Sequence, residues 1–370
     1  MKIALDNIIY SLQKSGGISK VWTKILEIFL NKEDLSFYFV ENNYRNNIFS
    51  STLDFADLPS KKSNRIPNSI KKFLPVYLKN EVDIYHSSYY RPLSRKNNTK
   101  TKVVVTVHDF IYDKYEINWV KRKLHIFLMK RALYQADAII CISNNTKMDL
   151  LQYYPELKKK RIFIVSNGVD EEFRSIEEIT KIEVKGTSIE SKKFLLYVGN
   201  RGYCKNFDFV VSLFKSKRFI DKGFKLVLVG GGDLSKDELR KFEVSNLKCG
   251  NIIKLEKINN QDLNILYNNA LALLFPSFYE GFGIPALEAA KAGCPVWASN
   301  SSSIPEILGP NYNYFNPHNW KDAEKKFSKI LDVKERDKLI EEGKFRAQMF
   351  SWEKCANETL DVYKIVLDGR

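Results

Sequence analysis

The segment Glu280-Gly281-Phe282-Gly283-Ile284-Pro285-Ala286-Leu287-Glu288 sets two carboxylates on either side of a glycine-containing turn. Pro285 suits the first turn of a helix, which leaves backbone N–H groups near Phe282, Gly283 and Ile284 to meet an anion or sugar oxygens. The two glycines let a ligand approach that backbone closely. Glu280 precedes the turn and Glu288 lies one turn into the helix, so both can border one pocket and accept bonds from hydroxyl groups. Paired hydroxyls are what a ribose and a hexose offer. Two carboxylates also invite the acid/base pair of a glycoside hydrolase, but the glycine turn between them suits binding a ligand against the backbone. A helix cap with a solvated glutamate is the structural alternative.

Elements must position these groups. Short runs rich in β-branched residues alternate with amphipathic stretches, the pattern of βα units around a parallel sheet. Strands are expected near 2–5, 36–40, 83–86, 103–107, 138–142 and 162–165, and again near 194–198, 225–229, 252–255, 271–275 and 295–299. A polar stretch without apolar period separates the two series. The reading is two doubly wound Rossmann-like domains, 1–173 and 193–350, joined by a linker at 174–192 and closed by a helix at 351–370. Ser351 is that helix's N-cap, and the helix is expected to pack back on the first domain. Ligands of such sheets gather beyond the carboxyl ends of the strands. Gly230-Gly231-Gly232 follows one strand, yet Ser235 stands where a dinucleotide fingerprint needs its third glycine, so a tight turn is the better reading.

The chain has 370 residues with 44% hydrophobic and 28% charged residues, an ordinary globular composition. Its net charge of +15 is unevenly placed, with +12 carried by residues 1–170. Five scattered cysteines without Cys-x-x-Cys spacing argue for reduced thiols rather than a zinc site or disulfide framework. Asp6 interrupts the first apolar run before it can serve as a signal peptide, and no stretch is long and apolar enough to span a bilayer. Lys61, Lys62, Arg65, Lys71 and Lys72 lie close to Phe73, Leu74, Tyr77 and Leu78, and Trp119 stands beside Lys121, Arg122 and Lys123. Such basic-aromatic combinations suit an anionic membrane surface. No nucleic-acid-binding module accompanies the charge.

The run EGFGIPALEAAKAG, followed by PVWASNSSSIPEILG, resembles the signature of the retaining nucleotide-sugar glycosyltransferases of family four, which have the GT-B fold. Gly16-Gly17-Ile18-Ser19 is similar to that family's N-terminal glycine loop, and Thr106 to Phe110 to its His-containing strand end. ADAIICISNNTKMDLL matches its strand-helix unit, Asn167-Gly168-Val169-Asp170 its domain-closing turn, and Tyr197 to Asn206 its basic phosphate loop. The pieces fall in the family's order over about residues 3 to 360. The resemblance implies two domains facing across a cleft. In it Glu288 holds the ribose diol, Glu280 binds a hexose hydroxyl, and the backbone of Phe282, Gly283 and Ile284 contacts sugar and diphosphate. Arg201 and Lys205 neutralise the diphosphate, Gly16 and Gly17 complete its cradle, and His108 faces the reacting carbon. It further implies a front-face displacement without metal or cofactor, and the chain contains no Asp-x-Asp. The partners expected are a nucleotide-diphosphate sugar, a glycan acceptor carried on a lipid diphosphate, and the inner face of the cell membrane, with Lys61, Lys62, Lys71 and Lys72 on the acceptor side. One departure concerns Glu256-Lys257-Ile258, where family members often have a glycine. Another GT-B enzyme, such as a nucleotide-sugar epimerase, or a catalytically silent sugar-nucleotide-binding or glycan-binding protein would share these residues.

Overall fold

The computed structural model describes all residues except 41–46, 54–59, 62–66, 80, 97–99, 178–180, 244–250 and 370. The chain divides into two units, Met1–Gly168 with Ser351–Arg370, and Val169–Phe350.

In the first unit the apolar runs form β1 (Lys2–Asp6), β2 (Ser36–Val40), β3 (Ser60–Lys61), β4 (Ile84–Ser87), β5 (Lys102–Val107), β6 (Ala138–Cys141) and β7 (Arg161–Ile164). They make one sheet in the order β3-β2-β1-β4-β5-β6-β7, with every neighbouring pair parallel. Ile3, Ala4, Leu5, Ile84, Val104 and Ile139 are completely buried, as expected of strands covered on both faces. The strand order reverses between β1 and β4, so the loops after those strands diverge and leave a place for a ligand. The final helix, Trp352–Leu367, is capped by Ser351, whose hydroxyl accepts from Lys354 N at 3.1 Å. It lays Ala356, Leu360 and Tyr363 into the unit's core and packs on the helix Gly17–Leu30. Gly168 makes the chain's close approach to this helix possible, since a Cβ there would lie 2.2 Å from Trp352 N.

The second unit repeats the logic. β8 (Lys181–Val184) and β9 (Thr187–Glu190) form an antiparallel hairpin. The remaining strands, β10 (Phe194–Val198), β11 (Lys225–Val229), β12 (Ile252–Leu255), β13 (Ala272–Phe275), β14 (Val296–Ser299) and β15 (Tyr314–Phe315), form a parallel sheet in the order β12-β11-β10-β13-β14-β15. Its reversal lies between β10 and β13.

The expected strands all form, within a residue at each end. Residues 181–190 differ from the expected connector: Ile182, Val184 and Ile189 are buried on one face of the hairpin, a period-two pattern too short to stand out among the surrounding charges. The two-residue strands β3 and β15 carry no periodicity at all. Cys141, Cys204, Cys294 and Cys355 are buried and free, and Cys249 lies outside the described residues.

Candidate functional site

In the second unit the loops after β10 and β13 flank the reversal, and they bring Lys205 and Glu280 together. Lys205 Nζ donates to both carboxylate oxygens of Glu280, at 2.6 and 2.7 Å. Glu280 is buried, and Ser277 Oγ donates to the same carboxylate at 2.7 Å. Its backbone is held as firmly: Glu280 N donates to Ser302 Oγ at 2.8 Å, and Ser303 Oγ donates to the carbonyls of Glu280 at 3.0 Å and Phe282 at 2.8 Å. Ser302 adopts a left-handed φ of 51°, an uncommon conformation for serine that points to a local functional demand. The three serines were not singled out in the sequence; the serine run before IPEIL was the only signal for Ser302 and Ser303, and Ser277 had none.

Asn206 orders the loops that carry these groups. It too has left-handed backbone, and its Nδ2 donates to Pro276 O at 3.1 Å and Pro317 O at 2.9 Å, tying together the loops after β10, β13 and β15. The helix Ile284–Ala292 starts at Gly283, whose φ of 110° and the nearness of Ile307 Cδ1, 3.2 Å from a would-be Cβ, both require glycine. Phe282 turns its ring away to pack edge-on against Phe350, so only its backbone is available at the turn. Glu288 is buried in the helix and accepts from Tyr267 OH at 3.2 Å. Lys205 and Glu280 thus meet just before the helix Ile284–Ala292, while Glu288 lies one turn into that helix with Tyr267 as its partner.

Arg201 has a different situation from the expected diphosphate cation. Its Nε donates to Glu238 Oε1 at 2.7 Å, and its terminal nitrogens donate to the carbonyls of Gly230, Gly231, Gly232 and Asp233 at 2.7 to 3.1 Å. The side chain is 5% exposed. Gly230, Gly231 and Gly232 all have φ between 74° and 83°, which winds their carbonyls toward the guanidinium. Arg201 is therefore the staple of that turn, and Lys205 is the cation beside Glu280. The pairing was invisible in sequence because a positive charge and a run of glycines carry no mark of each other.

In the first unit Gly16 and Gly17 open the helix Gly17–Leu30, and a Cβ at Gly17 would meet nothing within 4 Å. Packing does not demand glycine at Gly17, but a Cβ at Gly16 would lie 2.5 Å from Gln13 Oε1, so the Gln13 side chain covers the helix start there. His108 follows β5 and is half-buried; burial pushes its imidazole down to about 4, so it is neutral at neutral pH. His86, which the sequence reading passed over, ends the adjacent strand β4. It is buried, with Nδ1 paired to Tyr363 OH at 2.6 Å and Nε2 to Thr106 Oγ1 at 2.9 Å. Burial, reinforced by the nearby His108, pushes it down to about 3. At the strand reversal, Asp6 accepts from Tyr85 OH at 3.1 Å and Ser87 Oγ at 3.0 Å, and pairs with Arg91 at 3.4 Å. This network stiffens the loop that leads to Gly16.

The expected basic face needs correction. Lys71 is only 3% exposed, so its charge is not presented to solvent. Lys72 is half-buried with its ammonium 5.2 Å from the Phe73 ring centroid. Lys62 and the side chain of Lys61 lie outside the described residues. The second expected set fares differently: the helix Trp119–Gln135 exposes Trp119, Val120, Leu124 and Phe127 among Lys121, Arg122, Lys123, Lys130 and Arg131. Arg131 joins it to the neighbouring segment by donating to Phe73 O at 2.9 Å. Among the described residues no helix is long and apolar enough to cross a membrane, and no cluster of His, Cys, Asp and Glu could hold a metal ion.

Residues 178–346 match the family described as glycosyl transferases group 1, and residues 44–173 the family described as glycosyltransferase family 4. The O-antigen chain mannosyltransferase B of Escherichia coli is 26% identical over 76% of this chain and 74% of its own length. The chain spans about a third of the longer serotype-specific mannosyltransferases of the same organism, at 27% identity over 77% of this chain and 36% of theirs. Among solved structures, sucrose-phosphate synthase from Thermosynechococcus elongatus covers 100% of both chains with a TM-score of 0.73 at 18% identity. The Anabaena protein HepE, solved in complex with UDP and glucose, covers 98% of this chain and 99% of its own with a TM-score of 0.69 at 12% identity. These likenesses establish the fold as GT-B.

Proposed function

Because the chain belongs to the glycosyltransferases of the family-four type, we propose that it moves a hexose or related sugar from a nucleotide-diphosphate sugar to a glycan acceptor with retention of anomeric configuration. The acceptor is carried on a lipid diphosphate, and the reaction belongs to O-antigen or capsule assembly, a reading supported by the O-antigen named for its E. coli relative. The observation that carries the reading is the Lys205–Glu280 pair at the strand reversal, beside the glycine-led start of Ile284–Ala292.

The chemistry follows from charge. Cleavage of the sugar–phosphate bond gathers negative charge on the departing diphosphate, and a fixed cation lowers that barrier. An ammonium has three N–H donors, so Lys205 can bond Glu280 and a phosphate oxygen together. The N–H groups at Gly283 and Ile284 add their dipoles, while the Glu280 and Glu288 carboxylates accept from donor hydroxyls. His108, neutral near pH 7, offers the sugar a hydrogen-bonding ring without a competing positive charge. The departing phosphate oxygen takes the acceptor's proton, so no metal or cofactor enters the proposed step.

Melting temperatures with UDP-, GDP- and dTDP-sugars test the donor, since a ligand at one hundred times its Kd stabilises the fold by about 2.7 kcal/mol. One donor raising the melting temperature of the parent, and much less that of Glu288→Gln, is the expected result. An epimerase would convert that donor without acceptor, and a silent binder would neither transfer nor hydrolyse it. Either outcome would end the transferase reading.

The protein works, on this proposal, at the inner face of the cell membrane. The exposed aromatics and cations of Trp119–Gln135, with Ile70, Leu74 and Tyr77 nearby, support that placement better than Lys61, Lys62 and Lys71 do.

A further inference from the structure

Alongside the loops that carry Lys205 and Glu280, the second unit has a cavity of about 450 Å³ whose lining includes neither of those residues. Tyr203, Phe278, Asp208, Asp237 and Glu238 line it. Its exposed aromatic wall comes from two loops and is braced by a third. Tyr203, from the loop after β10, is 67% exposed, and its ring lies 5.8 Å from that of Phe278, from the loop after β13. His318, from the loop after β15, stacks on Phe278 at 4.8 Å. Phe278 N donates to Cys204 O at 2.8 Å, and Asn206 bonds the loops on either side, so the wall is fixed by backbone contacts rather than by chance packing.

The electrostatics of the cavity decide what fits. Its cations are spent within the chain: Arg201 on the glycine turn and Glu238, and Lys241 on Asp208 at 2.5 Å. Asp237 is exposed at the first turn of the helix Lys236–Glu243. With Glu238 and Asp208 paired to those cations, Asp237 leaves the lining one negative charge in excess, which disfavours phosphate and accepts from neutral hydroxyls. An exposed aromatic face opposite carboxylates matches a pyranose, which has an apolar C–H face and a rim of hydroxyls.

We propose that this cavity is a second saccharide subsite, binding a pyranose ring of the glycan chain by stacking on Tyr203 and hydrogen bonding to Asp237. It rests on the reading of the protein as a glycan-extending transferase and adds where a non-reacting sugar of that glycan is held.

Saturation-transfer NMR with methyl glucopyranoside, mannopyranoside and galactopyranoside tests it directly. At least one glycoside is expected to bind, with saturation strongest on its ring C–H protons. Tyr203→Ala should weaken it about fivefold and Tyr203→Phe should restore it, as stacking rather than the hydroxyl is at work. Equal binding by Tyr203→Ala, displacement of the glycoside by a nucleoside diphosphate, or no binding of any glycoside would overturn the subsite. Stabilisation of the fold by a nucleoside diphosphate, measured alongside, keeps the two readings apart. If it persists while glycoside binding fails, the donor site stands without the subsite; if it fails while Tyr203-dependent binding persists, the subsite stands without the donor site.

Discussion

Lys205 and Glu280 depend on one another because neither charge is well hydrated. Lys205→Ala strands a buried carboxylate and should destabilise the protein by about 3 kcal/mol, whereas the Lys205→Met, Glu280→Gln double variant should lose much less. Denaturant melts separate the two. Transfer should fall by roughly two orders of magnitude or more in both, because the cation is gone in both. The histidines give a pH signature. His86 is held near 3 and His108 near 4, below the 6.5 of an exposed histidine, so between those limits the unfolded chain binds more protons. Stability is then complete above pH 6.5 and is lost as pH falls through that window. For His86 alone the loss is on the order of 4 kcal/mol. Asp113 is raised to about 6 by burial and acts in the opposite sense, gaining stability as pH falls from 6 toward 4. Melting from pH 7 to pH 4 should show a net decline that is shallower in His86→Gln; an unchanged slope would contradict it. At this scale the glycine turn singled out Glu280 and Glu288, the family resemblance singled out Lys205, and the structure joins Lys205 to Glu280. His86, Ser277, Ser302 and Ser303 were not legible, since their roles come from partners distant in sequence.

The elements were the most legible part. Long β-branched runs declared the central strands of both sheets, and Ser351 with its apolar period declared the closing helix. What escaped was made by tertiary context. Two-residue strands exist only because a neighbour's edge is open, and the Arg201 staple exists only because three consecutive glycines turn their carbonyls inward. That staple has a measurable consequence. At Gly231 a Cβ would sit 2.6 Å from Arg201 Nη1 and 3.1 Å from Gly199 O, on a residue with φ of 83°. Gly231→Ala should cost on the order of 2 kcal/mol, and Gly232→Ala, whose Cβ would meet nothing within 4 Å, should cost less. Equal losses by chemical denaturation would show that backbone strain alone, not the guanidinium, sets the cost.

Over the whole molecule the surplus of positive charge acquires an address. The +15 of the chain is concentrated before residue 171, and five of its cations share the helix Trp119–Gln135 with exposed aromatics. Trp119 is 66% exposed there, with Lys123 4.9 Å from its ring centroid. Composition announced the charge but could not say which lysines face outward, and Lys71 shows how a lysine in a basic run can be drawn into the interior. Reversing Lys121 and Lys123 to glutamate should weaken binding to phosphatidylglycerol vesicles by at least about tenfold at low salt; binding equal to the parent would remove this face from the account. Sugar transfer at the Lys205–Glu280 pair is open to direct measurement. A nucleotide-release assay across UDP-, GDP- and dTDP-sugars with lipid-diphosphate-linked glycan acceptors addresses it most directly. Acceptor-dependent release from one donor, abolished in Lys205→Met and Glu280→Ala, is the predicted result. No acceptor-dependent release from any donor, or full release by both variants, would contradict it.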